Sequence, residues 1–449
     1  MSNSLQLNIY ETCFRTRALQ CETCNVEDIT LTIEEDAEDD VLEEIIRTLV
    51  NIMTSGKTKL TKLDLSTNLS ADFESLSEES QSLLKDAFLH PLNNITDISV
   101  HDPHAAKLIL EAMSQPQSRI TAFDYSPDSE ELYEERDEPV MSALVEALVQ
   151  PESRVNTLSL SLVPIDDEFW SMLCHENCRV THLTLVKPFF ITENPMERLG
   201  QVLIRGLEGL ELAFVELDDI SCDRLAEVFT VNEFPRLRSL RFSELRGDKI
   251  HSIFQALVES KRMVNTLHLG NSNYDVIQAA IKLVEMGLVC DFRIGGLEAF
   301  EGQPSVAMQA ALQSQNCRLH ELFIEGQLPA SGANICQALI MYLARQHCPM
   351  RGLQMPGVIL EDDVASQLLM AAKKSMITEL ACRATSERQQ SELTWFSKVL
   401  QSKWYDLIIL VLLLATKGLD GVNSKNVKLM MYLPADVVRK HIAPALCTW

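Results

Sequence analysis

The feature that most constrains this chain is a strand-like spacing of apolar residues that recurs thirteen times along its 449 residues. At each occurrence an apolar residue is followed three and five positions later by two more, and an amphipathic helical stretch comes next. Successive starts lie 25 to 35 residues apart, as in Ile95 to Ile120 and Leu60 to Ile95. A period of about 30 residues indicates stacked supersecondary units that share one core. The starts are Val26, Leu60, Ile95, Ile120, Val155, Val180, Leu207, Leu237, Val264, Val289, Leu319, Met350 and Ile377.

Each repeat predicts a short strand followed by a helix. In Arg154–Leu160 and Arg179–Leu185 the last two apolar residues alternate with one polar residue, so one strand face is core and the other looks outward. Between strands, segments such as Ile253–Val258 carry apolar residues three and four apart, which places them on one face of a helix. Asp102 followed by Pro103, and Asp218, are typical residues at a helix start.

These units resemble the ribonuclease-inhibitor-like class of leucine-rich repeat proteins, whose repeats are long enough to hold a full helix. The resemblance implies an α/β solenoid, a horseshoe with parallel strands on the concave face and helices on the convex face. We expect an N-terminal cap at 1–25, about 13 repeats at 26–383 and a helical C-terminal cap at 384–449. The family's asparagine after the strand is present at Asn68 but replaced by Val163, Leu245 and Leu297, which predicts irregular turns.

The charge of the chain is strongly negative and unevenly placed. The net charge is −25, and the first 138 residues hold 29 acidic and 10 basic side chains, which gives −19. Nucleic-acid binding depends on Lys and Arg neutralising phosphates, so nucleic acid is excluded as the expected ligand. The acidic runs Glu34–Asp40 and Asp128–Glu138 fit either solvated segments or a docking patch for a basic partner.

The sequence predicts a monomer in the cytoplasm that does not enter a membrane. The first ten residues lack the basic and apolar stretches of a signal peptide. The longest apolar run, Leu407–Ala415, is far shorter than the roughly 20 residues that cross a bilayer. Twelve cysteines without a secretory signal indicate free thiols in a reducing compartment.

Candidate chemical motifs do not form a site. Cys21 and Cys24 have zinc-ligand spacing, but no second such pair and no neighbouring histidine follow. Three further cysteines stand two residues before a strand start, which predicts buried packing positions. Gly56-Lys57-Thr58 resembles the end of a phosphate-binding loop, but Asn51 replaces the required glycine, so a turn is expected. We therefore predict no metal, no cofactor, no catalytic residue and no enzymatic activity. The three cysteines are Cys178, Cys317 and Cys348.

The outward strand positions are the predicted binding face for a protein partner. Its side chains change from acidic, through small and polar, to mixed and basic along the chain, which predicts a macromolecular partner with a matching charge sequence. Arg241, Arg293 and Phe323 are the expected anchors, since Arg and aromatic residues are enriched among interface hot spots. Ordinary solvated strand residues are the alternative reading. The predicted partner-binding residues are Asp64, Asp97, Asp124, His182, Glu211, Arg241, His268, Arg293 and Phe323.

After Arg383 the period is lost, and three short helices are predicted to cap the last repeat. They are Glu392–Leu400, Leu407–Thr416 and Val427–Tyr432. The tail also resembles the opening of an F-box, in which Leu433 and Pro434 begin a helix whose Val437, Val438 and Ile442 would contact a Skp1-like adaptor. Only 14 residues separate that Leu-Pro pair from Trp449, and Pro444 would interrupt the helix.

Two functions remain from the sequence. The first is a non-enzymatic module that binds a protein on the concave face. The second is a substrate adaptor that recruits a ubiquitin ligase through the tail. Irregular repeat chains of this kind also look like effectors that intracellular bacteria deliver into the host cytosol, so a resident scaffold and a delivered effector both stay open.

Overall fold

The computed structural model describes residues 4–8, 28–33, 39–56, 59–67, 73–127, 137–231, 236–295, 303–325, 332–375 and 377–400. The chain divides into two compact units, unit 1 over Met1–Ala280 and unit 2 over Ile281–Trp449. Both units have the predicted architecture, a parallel sheet in which strands alternate with helices along the chain. The protein is an α/β repeat solenoid.

Unit 1 contains a parallel sheet whose strands follow the chain order, except that two short strands form a separate pair. The sheet order is β1-β2-β3-β4-β5-β6-β8-β10-β11-β12, and β7 pairs with β9. The strands are β1 Ser4–Asn8, β2 Asp28–Ile33, β3 Lys62–Thr67, β4 Asp97–Val100, β5 Ala122–Tyr125, β6 Thr157–Ser161, β7 Pro164–Ile165, β8 His182–Val186, β9 Phe189–Phe190, β10 Gly209–Ala213, β11 Ser239–Ser243 and β12 Val264–Gly270.

Unit 2 repeats the arrangement with four parallel strands in the order β13-β14-β15-β16. They are β13 Val289–Ile294, β14 Glu321–Ile324, β15 Gly352–Leu360 and β16 Glu379–Ala384. A strand therefore follows each of the thirteen predicted starts. β1 lies inside the segment expected to be an N-terminal cap and was not predicted by the apolar spacing. It pairs with β2, the first strand of the predicted repeats. The predicted domain boundaries remain predictions.

The helices lie between the strands in sequence, as the apolar periodicity predicts. They are α1 Asp39–Thr54, α2 Glu78–Leu89, α3 Pro103–Met113, α4 Asp137–Leu148, α5 Asp167–Leu173, α6 Pro195–Arg205, α7 Asp219–Val231, α8 Ile250–Glu259, α9 Tyr274–Glu285, α10 Gln303–Gln313, α11 Gly332–Leu343, α12 Asp362–Lys374 and α13 at 387–400. In the described part of the chain no helix combines the length and apolar character needed to cross a membrane.

Aspartates start several of these helices. The carboxylate of Asp102 accepts a hydrogen bond from the Ala105 backbone N–H at 2.7 Å. That of Asp218 accepts one from the Ser221 N–H at 2.7 Å. Such caps satisfy backbone donors that have no partner within the helix. Both helix starts predicted from these residues are confirmed.

The core lies between the strand layer and the helices. The inward strand residues are almost fully buried, with Leu158 and Leu160 at 0% exposure and Leu183 at 1%. The three cysteines before strand starts are buried as predicted, at 5%, 5% and 8% exposure, which supports a packing role. They are Cys178, Cys317 and Cys348.

The residue directly after each of five neighbouring strands in the unit 1 sheet has a positive φ, although none is glycine. These residues are Leu162, Lys187, Phe214, Glu244 and Asn271, with φ between 40° and 58°. The first four donate their N–H to a carbonyl of the next strand; for example Lys187 donates to Ala213 at 2.8 Å. The residues after β4, β5 and β14, which are His101, Ser126 and Glu325, have no positive φ and donate to the preceding strand instead. The described turns are therefore of two kinds along the chain, as the expectation of irregular turns implies.

Several predictions fall outside the described residues. They concern the Cys21–Cys24 pair, most of both acidic runs, Lys57 and Thr58 of the loop-like motif, and everything after Leu400, including the F-box-like tail. Gly56 itself follows α1 with a φ of 65°, as expected of a turn. The first predicted C-terminal helix is confirmed as part of α13, which begins five residues earlier, at 387.

Candidate functional site

Two rows of side chains cover the outward face of the unit 1 sheet. The strand register aligns them, because neighbouring parallel strands place equivalent residues side by side, roughly 4.8 Å apart. The central row consists of Asp64, Ser99, Asp124, Ser159, Thr184, Glu211, Arg241 and His268. The leading row consists of Lys62, Asp97, Ala122, Thr157, His182, Gly209, Ser239 and Thr266.

Seven of the predicted partner-binding residues lie in these two rows. Five belong to the central row, and Asp97 and His182 belong to the leading row. None of the seven is buried. The predicted placement on the outward strand face is therefore confirmed, whereas a binding role remains a prediction. The five central-row residues are Asp64, Asp124, Glu211, Arg241 and His268.

The acidic residues at the N-terminal end of the face have local partners. Lys62 Nζ lies 3.5 Å from Asp97 Oδ2, and His101 Nε2 lies 3.9 Å from Asp64 Oδ1. Burial raises the pKa of the Asp124 carboxyl, and hydrogen bonds from Ser159 and Ser99 only partly oppose that rise. The three acidic side chains at this end of the face are therefore held against neighbouring side chains.

A depression of about 520 Å³ lies on strands β6, β8, β10 and β11. Its lining includes Gly209 of the leading row, where every neighbouring strand has a side chain. A Cβ on Gly209 would lie only 2.6 Å from Cδ2 of His182. The imidazole of His182 therefore lies over Gly209, in space that a side chain at this position would occupy.

The walls of the depression carry both charges and several hydroxyl groups. Arg241 Nη1 lies 3.5 Å from Glu211 Oε2, and both side chains keep solvent exposure, 46% and 28%. On the other side, Thr181 Oγ1 lies 3.1 Å from His182 Nδ1. An exposed ion pair contributes little to stability, about 0 to 1 kcal/mol, so these groups remain available for an external ligand.

The sheet of unit 2 has its own outward pair of anchors. Arg293 and Phe323 are neighbours in its register, and the guanidinium lies over the ring, 5.9 Å from the centroid. Arg293 Nη2 also lies 3.8 Å from Glu321 Oε2. Both predicted anchors of this unit thus lie together on one outward surface.

Gly209 is the site residue that the sequence analysis did not identify. The sequence does contain a sign of this site, because alignment of the repeats puts glycine where the neighbouring repeats have His182 and Ser239. Patterns of charged and aromatic residues do not reveal a position, such as Gly209, that has no side chain. Its importance depends on the neighbouring imidazole, which only the strand register reveals.

The described residues contain no group of three or more His, Cys, Asp or Glu side chains able to hold a metal. Burial raises the pKa of the Cys222 and Cys336 thiols to about 11, which keeps them protonated at neutral pH. A thiol in that state is a poor nucleophile.

No model of a known protein family matches the chain, and no curated protein matches its sequence. Among solved structures, the chain is similar to one in the crystal structure of the Rad7 and Elc1 complex in yeast. The identity is 15% and the TM-score is 0.38, over 72% of this chain and 79% of that chain.

Proposed function

We propose that the protein is a non-enzymatic interaction module that binds a protein partner on its outward strand face. The observation that carries this proposal is the depression over Gly209, with the Arg241–Glu211 pair in its wall. It is open and lined by both charges and hydroxyl groups, which suits the side chains of a folded or extended protein segment.

The experiment that tests this proposal reverses the two arginine anchors together, in the double variant R241E/R293E. Each substitution places a second carboxylate beside an existing one, Glu211 and Glu321 respectively. We expect partner binding to fall by at least tenfold, because like charges across an interface are strongly unfavourable. Quantitative affinity purification with mass spectrometry measures which proteins are lost relative to the wild type.

The matched control reverses two arginines on helices, in R224E/R388E. Arg224 lies 3.1 Å from Glu227 and Arg388 lies 3.6 Å from Glu392, so the change in charge and the local repulsion are equivalent. We expect this control to keep the partner. The proposal fails if every captured protein survives R241E/R293E, or if both double variants lose the same proteins.

We also propose that the protein works in a reducing cytosol. This would be the cytosol of its own cell for a resident scaffold and that of a host cell for a delivered effector. Support comes from the buried cysteines, which occupy equivalent packing positions in separate repeats, as with Cys317 and Cys348. A translocation reporter fused to the chain tests delivery, and a lack of signal in host cells would leave the resident scaffold as the proposal.

A further inference from the structure

A second cavity in unit 1 lies at the turns that lead into strands β8, β10 and β11, and it shares Thr181 with the Gly209 depression. Its volume is about 300 Å³. Arg179, Arg205 and Arg236 line it together with the Thr181 hydroxyl and apolar side chains, and no carboxylate is among the lining residues. Three guanidinium groups without an acid are unexpected in a chain with a net charge of −25. We call this cavity the arginine pocket.

Backbone carbonyls hold two of the three arginines. Arg205 donates from Nη2 to the Cys178 carbonyl at 2.8 Å and from Nη1 to the Leu173 carbonyl. Arg179 donates from Nη2 to the Pro151 carbonyl at 3.1 Å. Neutral carbonyls fix the side chains without cancelling their charge, so both guanidinium groups stay positive and partly unsatisfied.

Arg236 is placed by a glycine. Gly206 ends α6 with a φ of 132°, a conformation that favours glycine. A Cβ at that position would lie 3.1 Å from Cδ and 3.6 Å from Nη1 of Arg236. The side chain therefore crosses the bare Gly206 backbone. Within the described ranges, no Asp or Glu forms an ion pair with Arg236, Arg205 or Arg179.

We propose that the arginine pocket binds a phosphate monoester group. Such a group carries a charge of about −1.5 to −2 at neutral pH and three strong acceptor oxygens, which match several planar guanidinium donors. A carboxylate has one charge and two oxygens and leaves more of the donors unused. The inference concerns a cavity at the turns beside the strand face, built on other arginines, and it stands without the proposed function.

The test is a titration of the full chain with phenyl phosphate, followed by isothermal calorimetry. We expect R236A to weaken binding by about tenfold or more, since a lost hydrogen bond to a charged group is worth roughly 1.5–3 kcal/mol. R236K keeps the charge but lacks the planar fork, so an intermediate loss is expected. The matched control is R238A, which removes an equally exposed arginine two residues away, outside the pocket; its affinity should stay within about twofold of the wild type.

Two further ligands identify the carrier of the phosphate. A phosphoserine peptide that binds more tightly than phenyl phosphate assigns a protein-borne group, and tighter binding to phosphatidate vesicles assigns a lipid headgroup. Equal or weaker binding of both assigns a free small molecule. The proposal is overturned if phenyl phosphate does not bind saturably, if benzoate binds equally well, or if R238A weakens binding as much as R236A.

Discussion

Replacing Gly209 with alanine changes the candidate site by a single methyl group. The new Cβ would lie 2.6 Å from Cδ2 of His182, about 0.8 Å inside normal contact, so the imidazole must rotate. That ring is exposed and can move. An off-rotamer side chain costs about 0.5–1.5 kcal/mol, whereas replacing a strand glycine lowers the entropy of the unfolded chain by a stabilising 0.4–1 kcal/mol or so.

These two effects nearly cancel, so we expect the melting temperature of G209A to stay within about 2 °C of the wild type. The matched comparison is G247A. Gly247 has a φ of 152°, and a Cβ there would overlap the backbone carbonyl oxygen of Leu217, which cannot rotate away. Strain at such a residue costs roughly 1–3 kcal/mol, which lowers Tm by about 2–5 °C, and the overlap with the carbonyl oxygen should lower it further.

Differential scanning calorimetry measures both variants, and the affinity purification described above measures partner capture. We expect G209A to lose the partner while it remains stable, because the displaced imidazole changes the shape of the depression. The reasoning is refuted if G209A is as unstable as G247A, which would mean that His182 is locked in place. It is equally refuted if G209A is stable and keeps every partner.

Three other variants test the electrostatics and the core. E43Q should lower Tm at pH 7, because hydrogen bonds from Ser77 and Ser80 hold the pKa of Glu43 at about 2. Since the folded pKa is below the unfolded one, this stabilisation is lost as pH falls from 5 toward 2. The melting temperatures of E43Q and the wild type should therefore converge over that range. D124N should raise Tm at pH 7, because burial raises the pKa of the Asp124 carboxyl and so disfavours its charged form. This advantage should shrink as pH falls through the raised folded pKa and be gone below about pH 4, the pKa of an unfolded aspartate, as thermal melts across pH would show. Y342F should lower Tm by about 2–6 °C, since the single hydroxyl hydrogen is shared between the buried carbonyls of Cys317 and Leu319.

The sequence predicted the repeats well because burial imposes a period that a single chain displays. Alignment of equivalent positions also placed Glu211 and Arg241 on one surface, and their ion pair follows from adjacent strands. The two small strands β7 and β9 escaped prediction because two residues carry no period. Gly209 and the arginine pocket were not predicted because each depends on contacts between neighbouring repeats, whose residues are about 25 to 30 positions apart in sequence, as with Arg236 and Gly206.

The left-handed residues that directly follow five strands of unit 1 are positions where the amino acid can change during evolution without loss of the turn. Four of the five turns are held by a main-chain hydrogen bond to the next strand, so leucine, lysine, phenylalanine and glutamate all occur there. Side chains at these positions also meet their neighbours, as Lys187 does over the ring of Phe214 and Asn271 with Glu244. Single substitutions can therefore change the side chains along this edge of the sheet, and with them the surface that a partner meets, while the main-chain hydrogen bonds that hold the turns are kept.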